Sequence, residues 1–390
     1  MLRSYFADMH IHIGRDVFDK PVKITASKNL TITNILKESS RNKGIQLIGV
    51  IDCQSPNVQH ELKQLIRDGL AFELSDGGIR FEEVTLLLGS EIEVYDKNCR
   101  GPIHVLCFLP SLQEMEQFSE WLVTKMKNIT LSSQRYYGSA KELQYKVKEL
   151  SGIFIPAHVF TPYKSLYGKG VNQSLEEVFD RDLIDGIELG LSSDTFMADQ
   201  IKELHSYTYV TNSDAHSLAK IGREYQEIMM KEPSFKEFHY ALHQVEGRKI
   251  VRNYGMNPML GKYHKTVCDK CLHYMSSDTS VCEKCGSSKI VKGVADRIEE
   301  LADFDGKVIN RPPYLYQVPL EYLPKLGPKT FKKLLENFQT EMNIIHQVPY
   351  EELIEIIPEH IAKSIIQMRE GKLVITAGGG GKYGSVKQSE

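Results

Sequence analysis

Gly44-Ile45-Gln46-Leu47-Ile48-Gly49-Val50-Ile51, followed at once by Asp52, is a strand-length apolar run with a metal-ligand type of residue at its exit. The construction recurs along the chain. Val84-Thr85-Leu86-Leu87-Leu88-Gly89 leads through Ser90 to Glu91, and Gly152-Ile153-Phe154-Ile155-Pro156-Ala157 leads to His158. His104 lies near the start of Ile103-His104-Val105-Leu106-Cys107-Phe108-Leu109, while Tyr207-Thr208-Tyr209-Val210-Thr211 runs into Asn212-Ser213-Asp214-Ala215-His216. Runs this short and this rich in β-branched and aromatic residues are strands. Helical patterns separate them, as over residues 30–43 and 110–126. Strand–helix alternation across residues 1–255 predicts an α/β domain, barrel-like or doubly wound.

The 390 residues exceed one ordinary domain, so two or three are expected. With 41% apolar and 25% charged residues and a net charge of −3, the chain is an ordinary globular protein and no polycation. Contacts with nucleic acid must then come from local patches. The N-terminus is too polar for a signal peptide and no run reaches the roughly 18 apolar residues of a membrane span, which predicts a cytoplasmic protein without a membrane partner.

His10 and His12 are two apart, so on a strand they share a face and offer two imidazoles side by side. Asp214 and His216 repeat that spacing. Each residue alone reads as a satisfied core histidine or a solvated strand-end charge. Together His10, His12, Glu91, His104, His158, Asp214 and His216 gather at strand edges, where barrel active sites are built. Clustered imidazoles with a bridging carboxylate, Glu91 or Asp214, suit a pair of divalent ions that activates water for phosphoryl displacement. Arg223, seven residues past His216, is a candidate phosphate clamp, with an ion pair to Glu224 or Glu227 as its structural alternative.

The order His10-x-His12, Glu91, His104, His158, Asp214-x-His216 resembles the polymerase and histidinol phosphatase (PHP) superfamily. The resemblance implies a distorted (β/α)7 barrel holding two or three Zn²⁺, Mn²⁺ or Mg²⁺ ions. The superfamily's second motif carries His after its Asp, whereas here Cys53 and Gln54 follow Asp52. Asp16 and Asp19 both remain open as the aspartate after the first motif, so the third metal has no settled ligands.

Cys268-x2-Cys271-x10-Cys282-x2-Cys285 supplies four thiolates for a closed tetrahedral site. Structural Zn²⁺ is the expected occupant, with an iron–sulfur cluster or redox dithiols as alternatives. Downstream, Leu323-Pro324-Lys325-Leu326-Gly327-Pro328-Lys329-Thr330-Phe331-Lys332-Lys333-Leu334 resembles a helix-hairpin-helix element. Such a turn presents the N–H groups of a helix start to a DNA phosphate, with Lys325, Gly327, Lys329 and Lys332 as the contact residues. Its alternative is an amphipathic helix with a solvated lysine face.

This series of units predicts three domains: 1–255 for the chemistry, 256–296 for zinc, and a helical 297–390 for DNA. Their order resembles the endonuclease Q family of DNA-repair nucleases, as do the strings Pro156-Ala157-His158-Val159-Phe160-Thr161-Pro162-Tyr163-Lys164-Ser165-Leu166-Tyr167-Gly168 and Ile187-Glu188-Leu189-Gly190-Leu191-Ser192-Ser193-Asp194. The resemblance implies nicking 5′ to uracil, hypoxanthine, xanthine or abasic sites. An enzyme that inspects a base must take it out of the stack. Phe160, Tyr163, Lys164 and Ser165, just after His158, are the expected lining of that pocket. A small-molecule phosphatase and a non-catalytic DNA-binding scaffold are the competing readings. The glycine-rich run from Gly378 to Gly384 forms no regular element without help.

Overall fold

The computed structural model describes residues 1–261, 263–275, 279–376, 378 and 384–386. Its centre is a curled eleven-stranded sheet. Arg3–Ile11, Leu47–Val50 and Val84–Val94 run parallel in that order, and the buried span Ala7–Ile11 marks where the first strand enters the interior. Only eight residues separate Val84–Val94 from Ile103–Leu109, too few for a crossover helix, so these two pair antiparallel. Ile153–Pro156 then pairs antiparallel with Ile103–Leu109. These reversals distort the barrel.

Ile187–Glu188 and Tyr209–Val210 continue the wall as a parallel pair. Val159 N–H donates to the Glu188 carbonyl at 3.0 Å, and the His12 and Ala215 amides bond the Ala215 and His10 carbonyls at 3.1 Å, which brings the wall back to the first strand. Met9, Leu47, Leu87, Phe108, Ile155, Val210 and Phe238 fill the interior. A Cβ on Gly89 would stand 2.9 Å from the Phe108 ring, so glycine is what admits that ring. Removing the ring should cost about 3–5 kcal/mol.

Outer helices include Pro56–Arg67, Leu112–Val123, Ala140–Glu149 and Phe235–Leu242. Ser111, Ser139 and Ser234 cap the last three through their side-chain oxygens. The expected helix over residues 30–43 is instead α-helical at Ile32–Lys37 and widens to a π-helical turn at Glu38–Lys43, ended by Gly44 at φ 73°.

The four-cysteine segment forms a small ribbon in which Val267–Cys268 pairs antiparallel with Ile290–Val291. The helix Val294–Leu301 follows directly, and further on come Pro328–Phe338, Glu341–His346, Tyr350–Ile356 and Glu359–Arg369. The last four dock on the barrel through Glu341–His346, by the buried Lys43–Glu341 pair (2.6 Å) and by His346, stacked on Phe6 at 4.7 Å. The C-terminal region is not all helical. Tyr314–Tyr316 joins the barrel sheet beside Lys249–Gly255, because Pro312-Pro313 keeps the chain extended and Tyr-Leu-Tyr favours a strand.

In the tail, Ile375–Thr376 pairs with Ser385–Val386, and the Gly378 and Gly384 amides bond the Met259 and Leu260 carbonyls. Residues 379–383 lie outside the described residues. Among the described residues no helix is long and apolar enough to cross a membrane.

Candidate metal centre

The seven ligand candidates meet at one mouth of the barrel. Nε2 of His10 and of His12 each lie 3.5 Å from Asp214 Oδ1, and His216 Nε2 lies 3.4 Å from the same oxygen. Glu91 stands between two groups. Its Oε1 is 2.7 Å from His104 Nδ1, 3.3 Å from His158 Nε2 and 3.6 Å from His10 Nε2, while Oε2 is 3.6 Å from His12 Nε2. Glu91 is not at a strand end as expected. Apolar alternation continues through Ile92 and Val94, and the strand runs on with it.

Nε2 of His10, His12, His104 and His216 are buried without a hydrogen-bond partner. Leaving such nitrogens unpaired is costly, and the convergence of those of His10, His12 and His216 on Asp214 Oδ1 fits the donor set of a divalent ion. The spacing fits as well, since tetrahedral ligands at about 2.05 Å lie roughly 3.3 Å apart.

Burial works against charge on His10, yet Glu188, Asp214 and Glu91 raise its pKa to about 10. Burial likewise opposes ionisation of Asp214 and Glu91. The surrounding imidazoles of His10, His12 and His216 outweigh it for Asp214, as His104 and Lys23 do for Glu91, and both carboxyls stay well below their usual range. The pocket draws in positive charge, which metal ions satisfy.

The ligands are aimed by residues behind them. Glu188 Oε1 accepts from His10 Nδ1 at 2.9 Å and from Asn212 Nδ2 at 2.7 Å, and its Oε2 takes the His158 amide at 2.8 Å. Asp52 Oδ2 holds His12 Nδ1 at 3.2 Å and the Ile13 amide at 2.7 Å. Asp8 takes the Ser213 and Gly222 amides at 3.0 and 2.8 Å and so shapes the loop bearing Asp214. His158 and Asp214 are held at φ 31° and 46°, a costly conformation that the fold imposes at the site. A Cβ on Gly190 would stand 2.7 Å from the His158 Cβ, so glycine is required beside that ligand. Glu188 is the residue sequence reasoning missed as a ligand support; its signal was a carboxylate inside the strand-length run Gly186 to Leu189.

Asp16 and Asp19 do not face the centre. Asp16 binds the Phe18 and Lys20 amides and Asn57, and Asp19 is exposed beside Arg15. Lys23 occupies the flank instead, its Nζ 3.3 Å from Glu91 Oε2 and 2.6 Å from Ser133 Oγ. Gln54 is buried with its Nε2 3.4 Å from the Leu131 carbonyl.

Three further expectations need correction. Arg223 does not stand free for phosphate: Nε and a terminal nitrogen donate to the Ser213 and Asp214 carbonyls at 2.7 and 3.3 Å, because the loop turns its carbonyls toward it. Phe160 is buried and stacked on Tyr167 at 5.4 Å, closed off from a base. Ser165 is buried, its Oγ bonded to the Thr161 carbonyl and the Gly168 amide, capping a π-helical turn. Tyr163 and Lys164 are about half exposed, Tyr163 edge-on to Tyr263 at 5.6 Å and Lys164 2.8 Å from Glu93.

In the ribbon, the Cys268–Cys285 and Cys271–Cys282 sulfurs are each 3.5 Å apart, and all four converge within 4.8 Å. The two cysteine turns match: Leu272 at φ 57° and Gly286 at φ 68° each return an amide to the carbonyl of the first cysteine. In the helical region, Gly327 precedes Pro328 at the start of Pro328–Phe338, where Lys325 and Lys329 are exposed. Lys332 lies 3.6 Å from Glu336, and Lys333 donates to the Ile356 carbonyl. Lys220, four residues past His216, contacts Glu321 and lies 4.7 Å from the Tyr322 ring, tying this region to the metal-centre loop.

No family model matches the chain. It is 33% identical to the lesion-specific endonuclease PfuEndoQ from Pyrococcus furiosus, whose structure superposes with a TM-score of 0.86 over 100% of this chain and 96% of that one. The chain belongs to the endonuclease Q family. A second endonuclease Q structure, complexed with a 27-mer duplex bearing an abasic lesion at its active site, matches at TM-score 0.85, 33% identity and 97% of its length. Bacillus subtilis YqxK, an uncharacterised protein, is 51% identical over 99% of this chain and all of its own length. Membership makes this chain a DNA-repair endonuclease of the endonuclease Q type, with the thiolate cluster and the imidazole–carboxylate centre just described.

Proposed function

We propose that this endonuclease Q relative hydrolyses the phosphodiester on the 5′ side of deaminated bases (uracil, hypoxanthine, xanthine) and of abasic sites. The observation that carries the reading is the imidazole and carboxylate centre of His10, His12, Glu91, His104, His158 and Asp214, with His216 beside Asp214, in a chain alike over its whole length to a lesion-specific endonuclease. Two divalent ions, Zn²⁺, Mn²⁺ or Mg²⁺, would be held by His10, His12, Glu91, His104, His158, Asp214 and His216. When bound they supply a water of lowered pKa and neutralise the phosphate. Glu188 and Asp52 keep the imidazole tautomers in which Nε2 is free to bind. The Lys23 ammonium, beside Glu91, offers a fixed positive charge to a phosphate oxygen.

The 1–255 unit would do this chemistry, while the 256–296 and 297–390 units hold the duplex. The four cysteines suit structural Zn²⁺, and the Gly327 turn with Lys325, Lys329 and Lys332 suits backbone phosphates. A base flipped from the stack would meet Tyr163 and Lys164, which adjoin His158 and retain exposure.

The test incubates the protein and Mg²⁺, Mn²⁺ or Zn²⁺ with labelled duplexes that are intact or contain uracil, hypoxanthine, xanthine or an abasic site, and with a small phosphate ester. Nicks beside the lesions alone are expected, abolished in Asp214→Asn with DNA binding kept. Phosphate released from the ester without nicking would establish the small-molecule phosphatase, and binding without either would establish the scaffold. Tyr163→Ala and Lys164→Ala should weaken cutting at uracil; full cutting by both removes them from the pocket.

A further inference from the structure

A second group of metal-ligand side chains lies at the opposite mouth of the barrel. The centre described above includes His10 and His158, at the C-terminal ends of Arg3–Ile11 and Ile153–Pro156, whereas Asp185 precedes the Ile187–Glu188 strand and takes the Phe154 amide from the start of Ile153–Pro156. Phe238 and Leu242, from the helix that leads to His243, pack with Ile155 in one buried apolar cluster.

Asp185 is buried, and its two oxygens have divided roles. Oδ2 accepts from the Phe154 amide at 2.6 Å and from Lys148 Nζ. Oδ1 faces only imidazoles, with His243 Nε2 at 3.0 Å and His239 Nε2 at 3.7 Å. The histidines are four residues apart at the end of the Phe235–Leu242 helix, so they share a face, and their rings lie 4.6 Å apart. The three ligand atoms converge within 4.8 Å. The 3.0 and 3.7 Å edges bracket the roughly 3.3 Å edge of a tetrahedron with ligands at about 2.05 Å.

We propose that Asp185, His239 and His243 bind a divalent transition-metal ion of the Zn²⁺, Co²⁺ or Ni²⁺ class, apart from the catalytic centre and the four-cysteine ribbon. Two imidazoles and one carboxylate favour such an ion over Mg²⁺ or Ca²⁺, which prefer oxygen. Both histidines are about 40% exposed, at 41% and 42%, so solvent completes the coordination and the ion exchanges. The ion would fasten the Phe235–Leu242 helix to the turn before Ile187.

The full chain with its ribbon zinc loaded is dialysed against Co²⁺ or Zn²⁺, and bound metal is counted for the wild type, His239→Ala/His243→Ala and Asp214→Asn. The histidine variant should bind one ion fewer per chain and lose the wild type's metal-induced rise in Tm, with its metal-free Tm and DNA nicking unchanged. Asp214→Asn should keep this ion. Anomalous diffraction from wild-type crystals soaked in Zn²⁺ should show a peak between Asp185, His239 and His243. Equal metal counts in wild type and histidine variant, or no peak there, would overturn the proposal.

Discussion

Glu188 accepts a hydrogen bond from His10 Nδ1 at 2.9 Å across 178 residues of chain, and its second oxygen takes the backbone amide of His158. One buried carboxylate thereby aims one ligand and fixes the backbone of another. Glu188→Gln keeps shape and polarity but lets the amide present the wrong hydrogen to the ring. Metal affinity should fall about 10- to 100-fold. Activity titrated with Mn²⁺ would shift its midpoint by that factor and recover at saturating metal; an unmoved midpoint would refute the role.

Lys23 is the positive charge nearest Glu91 that is not an imidazole. Lys23→Met should lower nicking about 100-fold, the scale of losing one fixed transition-state charge contact. Metal per chain, read by atomic absorption, should stay unchanged. A rise to one more ion would mean that the lysine blocks a third metal position.

Burial and the charges of Arg369 and Arg252 lower the pKa of His346 to about 4 from an ordinary 6.5. A histidine whose folded pKa is depressed contributes stability above its unfolded pKa and loses it as pH falls toward the folded value. The helical region should therefore loosen from the barrel between about pH 6.5 and 4, by at most about 3 kcal/mol. Hydrogen exchange at Tyr225 and in the Glu341–His346 helix would report it. His346→Phe, which cannot protonate but also cannot bond the Tyr225 hydroxyl (2.6 Å), should abolish the pH dependence at some cost in stability.

Cys282→Ser should abolish metal binding by the ribbon, because three thiolates no longer close the site. The ribbon should lose its protection from proteolysis while the barrel keeps its Tm. Loss of the whole fold would show that the ribbon supports the barrel.

Lys325→Glu and Lys329→Glu should weaken binding to duplexes of every sequence alike. The slope of log affinity against log salt should fall by about 1 per phosphate contact removed. Unchanged slopes would leave the Pro328–Phe338 helix with a structural role.

Local chemistry was legible in the sequence: apolar runs ending in ligand types, His10 and His12 two apart, and four cysteines in two tight pairs. Spacing within a strand or turn is set by backbone geometry over a few residues, so side-chain identity suffices to read it. Tertiary structure alone decided which neighbours each group met. Glu188 became the support of His10, and Lys23 reached Glu91 across 68 residues. Arg223 was spent on two carbonyls, and Phe160 and Ser165 were turned inward. Those outcomes depend on closure of the barrel and on the antiparallel reversal after Val94, which no local periodicity encodes. The metal centre is thus written in residue types, and its aim and charge in contacts between distant strands.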